Sequence, residues 1–304
     1  MKKYKVFTLV YLILCAITAS TSQAQAKLPP NIKNGFVTTR DGVRIHYIES
    51  KPKSSRRECT LLFVPGLMTP GWIWEHQLAH FDQNYRVVAM DPRSQGESSK
   101  PADGHYPAAR ARDIKSVVDQ LKLKPVVLVA YTSAVTEVVS YVDQFGTETL
   151  AGLVLVNGIA GRDYDEATMS SLLAYSNAFQ LDRQKAADRF VRGLYRKPQS
   201  EDYIRRMISA TLRMPTNSVV ALIMGGIASD NRAALAKIDR PTLIVVALVR
   251  PWMSFYEDLQ KRIRGARMEV FEDAGHALFV DEAARFNTLL DGFLNTLQPG
   301  QSKN

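Results

Sequence analysis

The chain has 304 residues, with 39 lysines and arginines against 30 acids, for a formal charge of +9. Its basic residues stand beside acids along helical stretches, as Arg110 and Arg112 do beside Asp113. That is the pattern of a solvated face, and it excludes a nucleic-acid-binding stripe.

The first residues read as a targeting segment. Lys2, Lys3 and Lys5 make a basic start, residues 6–19 an apolar run, and Ala24-Gln25-Ala26 a small-x-small cleavage site. Residues 1–26 are therefore expected to be a signal peptide, removed after Ala26, with export to a periplasm or the exterior. The apolar run is too short for a membrane span, so no stable span is expected in the mature chain. Cleavage leaves about 278 residues, enough for one large domain, and lowers the charge to +6. One cysteine is left, Cys59, at the head of an apolar run that predicts a packing role. Residues 51–57 read as a basic surface loop.

Residues 36–40 and 43–48 flank Asp41-Gly42, which predicts a two-residue hairpin. Apolar runs then alternate with helical patterns: 60–64, 85–90, 125–130, 152–156, 241–247 and 267–271. Runs this rich in Val, Leu and Ile, without polar alternation, predict strands of a parallel sheet buried on both faces. Residues 113–121 and 283–297 space their apolar residues for one face of a helix. The expected fold is α/β, a mostly parallel eight-stranded sheet with flanking helices. Between the sixth and seventh strands, residues 161–234 hold four helical stretches, at 167–179, 183–195, 202–214 and 218–227. An insertion there would cover the carboxyl ends of the strands, where ligands bind in open α/β sheets. It is read as an all-helical cap, 161–234, on a core of residues 27–160 and 235–298, with 299–304 a disordered tail.

Four segments, in order, carry a resemblance. Val64-Pro65-Gly66-Leu67 follows the third strand, and Asp91-Pro92-Arg93-Ser94-Gln95-Gly96-Glu97-Ser98 follows the fourth. Ala130-Tyr131-Thr132-Ser133-Ala134 joins an apolar strand directly to a helical pattern, and Asp273-Ala274-Gly275-His276 follows the last strand. Together they resemble the α/β-hydrolase superfamily over residues 36–297: its oxyanion turn, its D-x-R-G-x-G-x-S segment, its G-x-S-x-G nucleophile elbow and its histidine loop. The resemblance implies Thr132 at the nucleophile position and His276 as general base. It also implies backbone amides of Leu67 and Ser133 as oxyanion donors, and a pocket bordered by Tyr131 and Arg250.

Several positions depart from the pattern. Threonine replaces serine, and its β-branch fits a strained turn poorly. Ala130 and Ala134 replace glycines. A frame shifted by one residue would make Ser133 the nucleophile. The acid expected after the seventh strand falls at Arg250, whose charge opposes an imidazolium. The other acid position used in the family, after the sixth strand, holds Asn157, which can orient a ring but brings no charge. His76 and His80 are one helical turn apart without a third ligand, and no phosphate loop or dinucleotide fingerprint is present, so neither metal nor cofactor is expected. The first expectation is a scaffold with a degenerate, catalytically impaired triad, binding a small apolar ligand under its cap. The alternatives are an active hydrolase of an ester-like molecule using Thr132 or Ser133 with His276, and a cofactor-free reaction that uses His276 as a base.

Overall fold

A computed structural model describes residues 32–50, 52 and 59–297. The leader (1–26), most of the basic loop (51–57) and the tail (299–304) lie outside the described residues. Eight strands form one sheet: β1 (Lys33–Thr38), β2 (Arg44–Ser50), β3 (Thr60–Val64), β4 (Arg86–Met90), β5 (Val126–Tyr131), β6 (Leu150–Val156), β7 (Thr242–Ala247) and β8 (Arg267–Phe271). Their order is β1-β2-β4-β3-β5-β6-β7-β8. β2 runs antiparallel to both its neighbours, and every later pairing is parallel.

The leading hairpin differs from the two-residue turn expected. β1 ends at Thr38 and β2 begins at Arg44, leaving a five-residue loop. Thr39 closes that loop itself, its N–H donating to Val43 O (2.9 Å) and its carbonyl accepting from Gly42 N (3.0 Å). Gly42 sits at φ +81°. A hydroxyl residue that caps the loop from within lengthens it beyond what an Asp-Gly pair predicts.

β3, β5 and β7 are buried at every position. Their side chains alternate between two apolar layers. Leu61, Phe63, Val127, Val129 and Tyr131 face one layer, and Leu62, Val64, Leu128 and Ala130 face the other. The second layer is closed by α2 (Pro107–Gln120), α3 (Ser133–Phe145) and α8 (Arg250–Arg262). The first is closed by α1 (Glu75–Phe81), α9 (Leu278–Asp281) and α10 (Ala283–Thr296). This two-sided burial is why the strands read as unbroken apolar runs.

Between β6 and β7 the chain forms α4 (Glu166–Leu181), α5 (Arg183–Arg192), α6 (Glu201–Thr211) and α7 (Thr216–Ile227). Three of them start on a side-chain cap: Asp165 accepts from Thr168 N, Asp182 from Lys185 N, and Ser200 from Tyr203 N. These helices lie over the carboxyl ends of the strands. The Thr211 hydroxyl donates to Met68 O (3.2 Å) on the loop after β3, and Ala277 N donates to Leu194 O (2.8 Å) beyond β8. Phe179, Met207, Met214 and Leu222 belong to the same buried cluster as Phe63, Tyr131 and Phe279.

Candidate active site

One residue separates β5 from α3, and it is Thr132, at φ +49° and ψ −110°. A β-branched residue in this region costs about 1–3 kcal/mol and persists only when its surroundings dictate the geometry. They do so here. The Thr132 N–H donates to Val156 O (2.8 Å) at the end of β6, and its carbonyl accepts from Val135 N (3.0 Å) in the first turn of α3. Ala130 and Ala134 are fully buried where the family pattern has glycine. The tightest approaches fall instead on two glycines of the flanking loops. A Cβ at Gly66 would strike the Thr132 methyl, and one at Gly158 would strike the Thr132 carbonyl and Val135. The methyl thus faces the loop after β3, on the oxyanion side.

That loop turns at Met68, at φ +59°. The Met68 amide is taken up by the Gln95 side chain (3.2 Å). The amides of Leu67 and Ser133 enter no hydrogen bond among the described residues, so both are free to serve an oxyanion. Ser133 is the first residue of α3, and its hydroxyl is buried without a partner. The apex of the turn is Thr132, which leaves the shifted frame without geometric support.

His276 lies in the loop after β8, held by its backbone. Its carbonyl accepts from Asn157 Nδ2 (2.6 Å), while the preceding Gly275 N donates to Asp281 Oδ2 (2.7 Å). The ring rests on that of Tyr131, with centroids 5.2 Å apart. This places the imidazole beside the elbow. Its nitrogens make no hydrogen bond among the described residues, and burial alone pushes its pKa down to about 4. No carboxylate offsets that burial, so the ring is neutral at physiological pH and a weak base.

Neither candidate for the acid position brings negative charge to the ring. Asn157 is itself at φ +46°, its N–H bonded to Val245 O (3.0 Å). Its Oδ1 accepts from Ala247 N (2.7 Å), and its Nδ2 reaches the carbonyl of His276, not the imidazole. It fastens the histidine loop to the end of β7. Arg250 is exposed at the start of α8 and enters no ion pair among the described residues. Asp258 pairs with Arg262 (2.7 Å), and Asp273 lies 3.7 Å from Arg196. Tyr131 is fully buried, stacked edge-on against Phe279 and Trp74, and its hydroxyl has no partner. It supports the imidazole from beneath. Two cavities, of about 170 and 310 Å³, open elsewhere on the molecule, and neither is lined by Thr132 or His276.

Sequence reasoning missed Asp281. This carboxylate, wholly buried, accepts from the amides of Gly275 (2.7 Å), Arg196 (2.8 Å) and Lys197 (3.4 Å) and from Gln199 Nε2 (3.3 Å). An acid closing the apolar run Ala277-Leu278-Phe279-Val280 was the available signal.

The depressed histidines set an acid limit. His276 and His105, the latter buried beside Arg110 and Arg93, each fall from 6.5 to about 4. At these two sites the unfolded chain binds more protons between pH 6.5 and 4, against the opposing uptake of Glu137, which burial pushes up to about 7 in the fold. The stability present above 6.5 is lost as pH falls through the folded value, by up to about 2–3 kcal/mol per ring. Melting temperature plotted against pH across this range should fall less on acidification in His276→Asn than in the wild type, by the share of that ring. An unchanged slope would mean that the ring titrates as it does in water.

A sheet of this order, with a strained residue after β5, facing amides and a histidine loop after β8, defines the α/β-hydrolase class of scaffold. A sequence model described as "Alpha/beta hydrolase family" matches residues 61–289, and the chain belongs to that family. It is similar to the non-heme chloroperoxidase CPO-A1 of Kitasatospora aureofaciens, 26% identical over 277 residues, 85% of this chain and 98% of that protein. The AB hydrolase superfamily protein YisY of Bacillus subtilis is 24% identical over 282 residues, 83% of this chain and 99% of that protein. Among solved structures, an esterase from Exiguobacterium antarcticum superposes with a TM-score of 0.79 at 23% identity, covering 86% of this chain and all (100%) of that one. A bromoperoxidase from Bacillus anthracis gives 0.78 at 21% identity, covering 86% of this chain and 100% of that one.

Proposed function

We propose that this protein keeps the α/β-hydrolase scaffold while its acyl-transfer machinery is impaired, and that it binds a small, largely apolar carbonyl compound between the elbow and the cap. One observation carries the reading: among the described residues no carboxylate is hydrogen-bonded or ion-paired to the His276 ring, so nothing offsets its desolvation. A base in this role must become an imidazolium in the transition state, and the aspartate that normally stabilises it is absent. Arg250, standing where that aspartate would fall, adds charge of the wrong sign, and the Thr132 methyl crowds the wall where a tetrahedral carbon must form. The free amides of Leu67 and Ser133 supply the polar anchor for the ligand's carbonyl. The esterase and chloroperoxidase names of the similar proteins favour small-molecule ligands. With residues 1–26 removed as a leader, we place the protein outside the cytoplasm, in a periplasm or secreted.

A second reading has one observation in its favour. Thr132 keeps the strained backbone that presents a nucleophile, a cost with no structural return. In that reading Thr132 attacks an ester with His276 as base. Incubation with p-nitrophenyl acetate separates the two. The expected result is turnover no faster than that of Thr132→Ala or His276→Ala. Turnover that both substitutions abolish would install the second reading in place of the first.

A further inference from the structure

A line of buried polar side chains runs from the first turn of the elbow helix to the oxyanion loop. Glu137 on α3, Arg110 on α2 and Gln95 on the loop after β4 are each 1% exposed. Gln95 spends its whole amide: Nε2 donates to Gly66 O (2.8 Å) and Thr69 O (2.8 Å), and Oε1 accepts from Met68 N (3.2 Å) and Arg110 Nη2 (3.1 Å). Three of those four bonds go to the turn that carries Leu67. Arg110 Nη1 faces Glu137 Oε1 at 3.2 Å, without hydrogen-bond alignment. Glu137 lies four residues beyond Ser133, one helical turn below the other oxyanion amide.

We propose that Gln95 is the positioning residue of the oxyanion loop, and that Glu137, acting through Arg110, sets how firmly it holds. When Glu137 is charged, it fixes the Arg110 guanidinium so that Nη2 points at Gln95 Oε1, leaving the amide group turned to serve Gly66, Met68 and Thr69. When Glu137 is protonated, the attraction left to Arg110 is Asp113 on its own helix. Arg110 then swings away, and Oε1 loses its charged donor. The loop holding the Leu67 amide is tied in this way to the helix holding the Ser133 amide.

Burial pushes the Glu137 pKa up to about 7, so the change of state falls near neutral pH. Burial raises the pKa of Asp113, which also faces Arg110, while its bonds to Arg93 oppose that shift. Asp113 is held by two hydrogen bonds from Arg93 (2.7 and 2.6 Å), and Arg93 also reaches Asp41 (3.0 Å). His105, which donates to or accepts from Ser94 (2.8 Å), is neutral above its value of about 4. Glu137→Gln removes the response of Glu137 alone, which separates it from that of Asp113.

This inference concerns the loop that the proposed function uses for its ligand, and its test needs neither ligand nor turnover. Amide hydrogen exchange of Met68, corrected for the intrinsic rate, is measured at pH 6 and pH 8. In the wild type, protection should be about tenfold higher at pH 8, the change that one strengthened charge-assisted bond gives. Glu137→Gln should be flat with pH, at the lower level. Gln95→Leu should lose Met68 protection at both pH values while amides of β5 and α3 exchange as before. If Gln95→Leu disturbs β5 as well, the wild-type and Glu137→Gln pair still decides. Equal protection at both pH values in the wild type, or a step that survives in Glu137→Gln, overturns the proposal.

Discussion

Exchanging Thr132 for serine and Arg250 for aspartate together should raise p-nitrophenyl acetate hydrolysis by two or more orders of magnitude over the parent. The serine removes the methyl that sits against Gly66, and the aspartate replaces a cation with an anion at the position the family uses for its acid. Loss of that carboxylate costs on the order of 10⁴ in rate in a serine protease, so partial recovery is a conservative expectation. The informative control is Thr132→Ser with Asn157→Asp. Asn157 Nδ2 donates to the His276 carbonyl (2.6 Å), so a carboxylate there would meet another oxygen in place of the ring. It should give no gain in rate and should cost about 1–3 kcal/mol of stability for the broken bond and the repulsion. If the Asn157→Asp combination matches the Arg250→Asp combination, residue 157 can turn to the imidazole, and the assignment of its role is wrong.

Removing the Asp281 carboxylate should produce a large loss of stability. Four donors converge on it, three of them backbone amides from two different loops. In Asp281→Ala all four lose their acceptor, and removing a buried charged partner of this kind costs about 3–5 kcal/mol. Urea unfolding should show that loss as a lower midpoint at unchanged slope. Asp281→Asn keeps an acceptor oxygen and should recover part of it. A loss under about 1 kcal/mol in Asp281→Ala would mean that water replaces the carboxylate and that the contact between the 194–199 segment and the histidine loop is not structural.

The scaffold could be read from the chain because its signals are local. Strands such as Leu61-Leu62-Phe63-Val64 and Leu243-Ile244-Val245-Val246 are buried on both faces, so no alternation had to be decoded. The four helices between β6 and β7 begin close to where their spacing puts them. The order of elbow, Asp91-Pro92-Arg93 segment and histidine loop fixed which ends of the strands meet. What escaped is non-local and polar. Gln95 reaches Gly66 from 29 positions away, and Asp281 reaches Arg196 from 85. No periodicity marks such residues, because a single buried polar group has no repeat. Asn157 was misjudged for a different reason. The positive φ that turns its side chain toward the backbone of His276 is not written in its identity. The hairpin was misjudged by the hydroxyl of Thr39, which competes with the strand ladder.

Met207, Met214 and Leu222 share one apolar body with Phe63, Phe286 and Phe293 on the far side of the sheet's first layer. Lifting the helices above the elbow would therefore wet the heart of the molecule, at a cost that makes such openings rare. Any molecule admitted beneath them would for that reason exchange slowly in both directions, its residence time set by protein breathing more than by the strength of its own contacts.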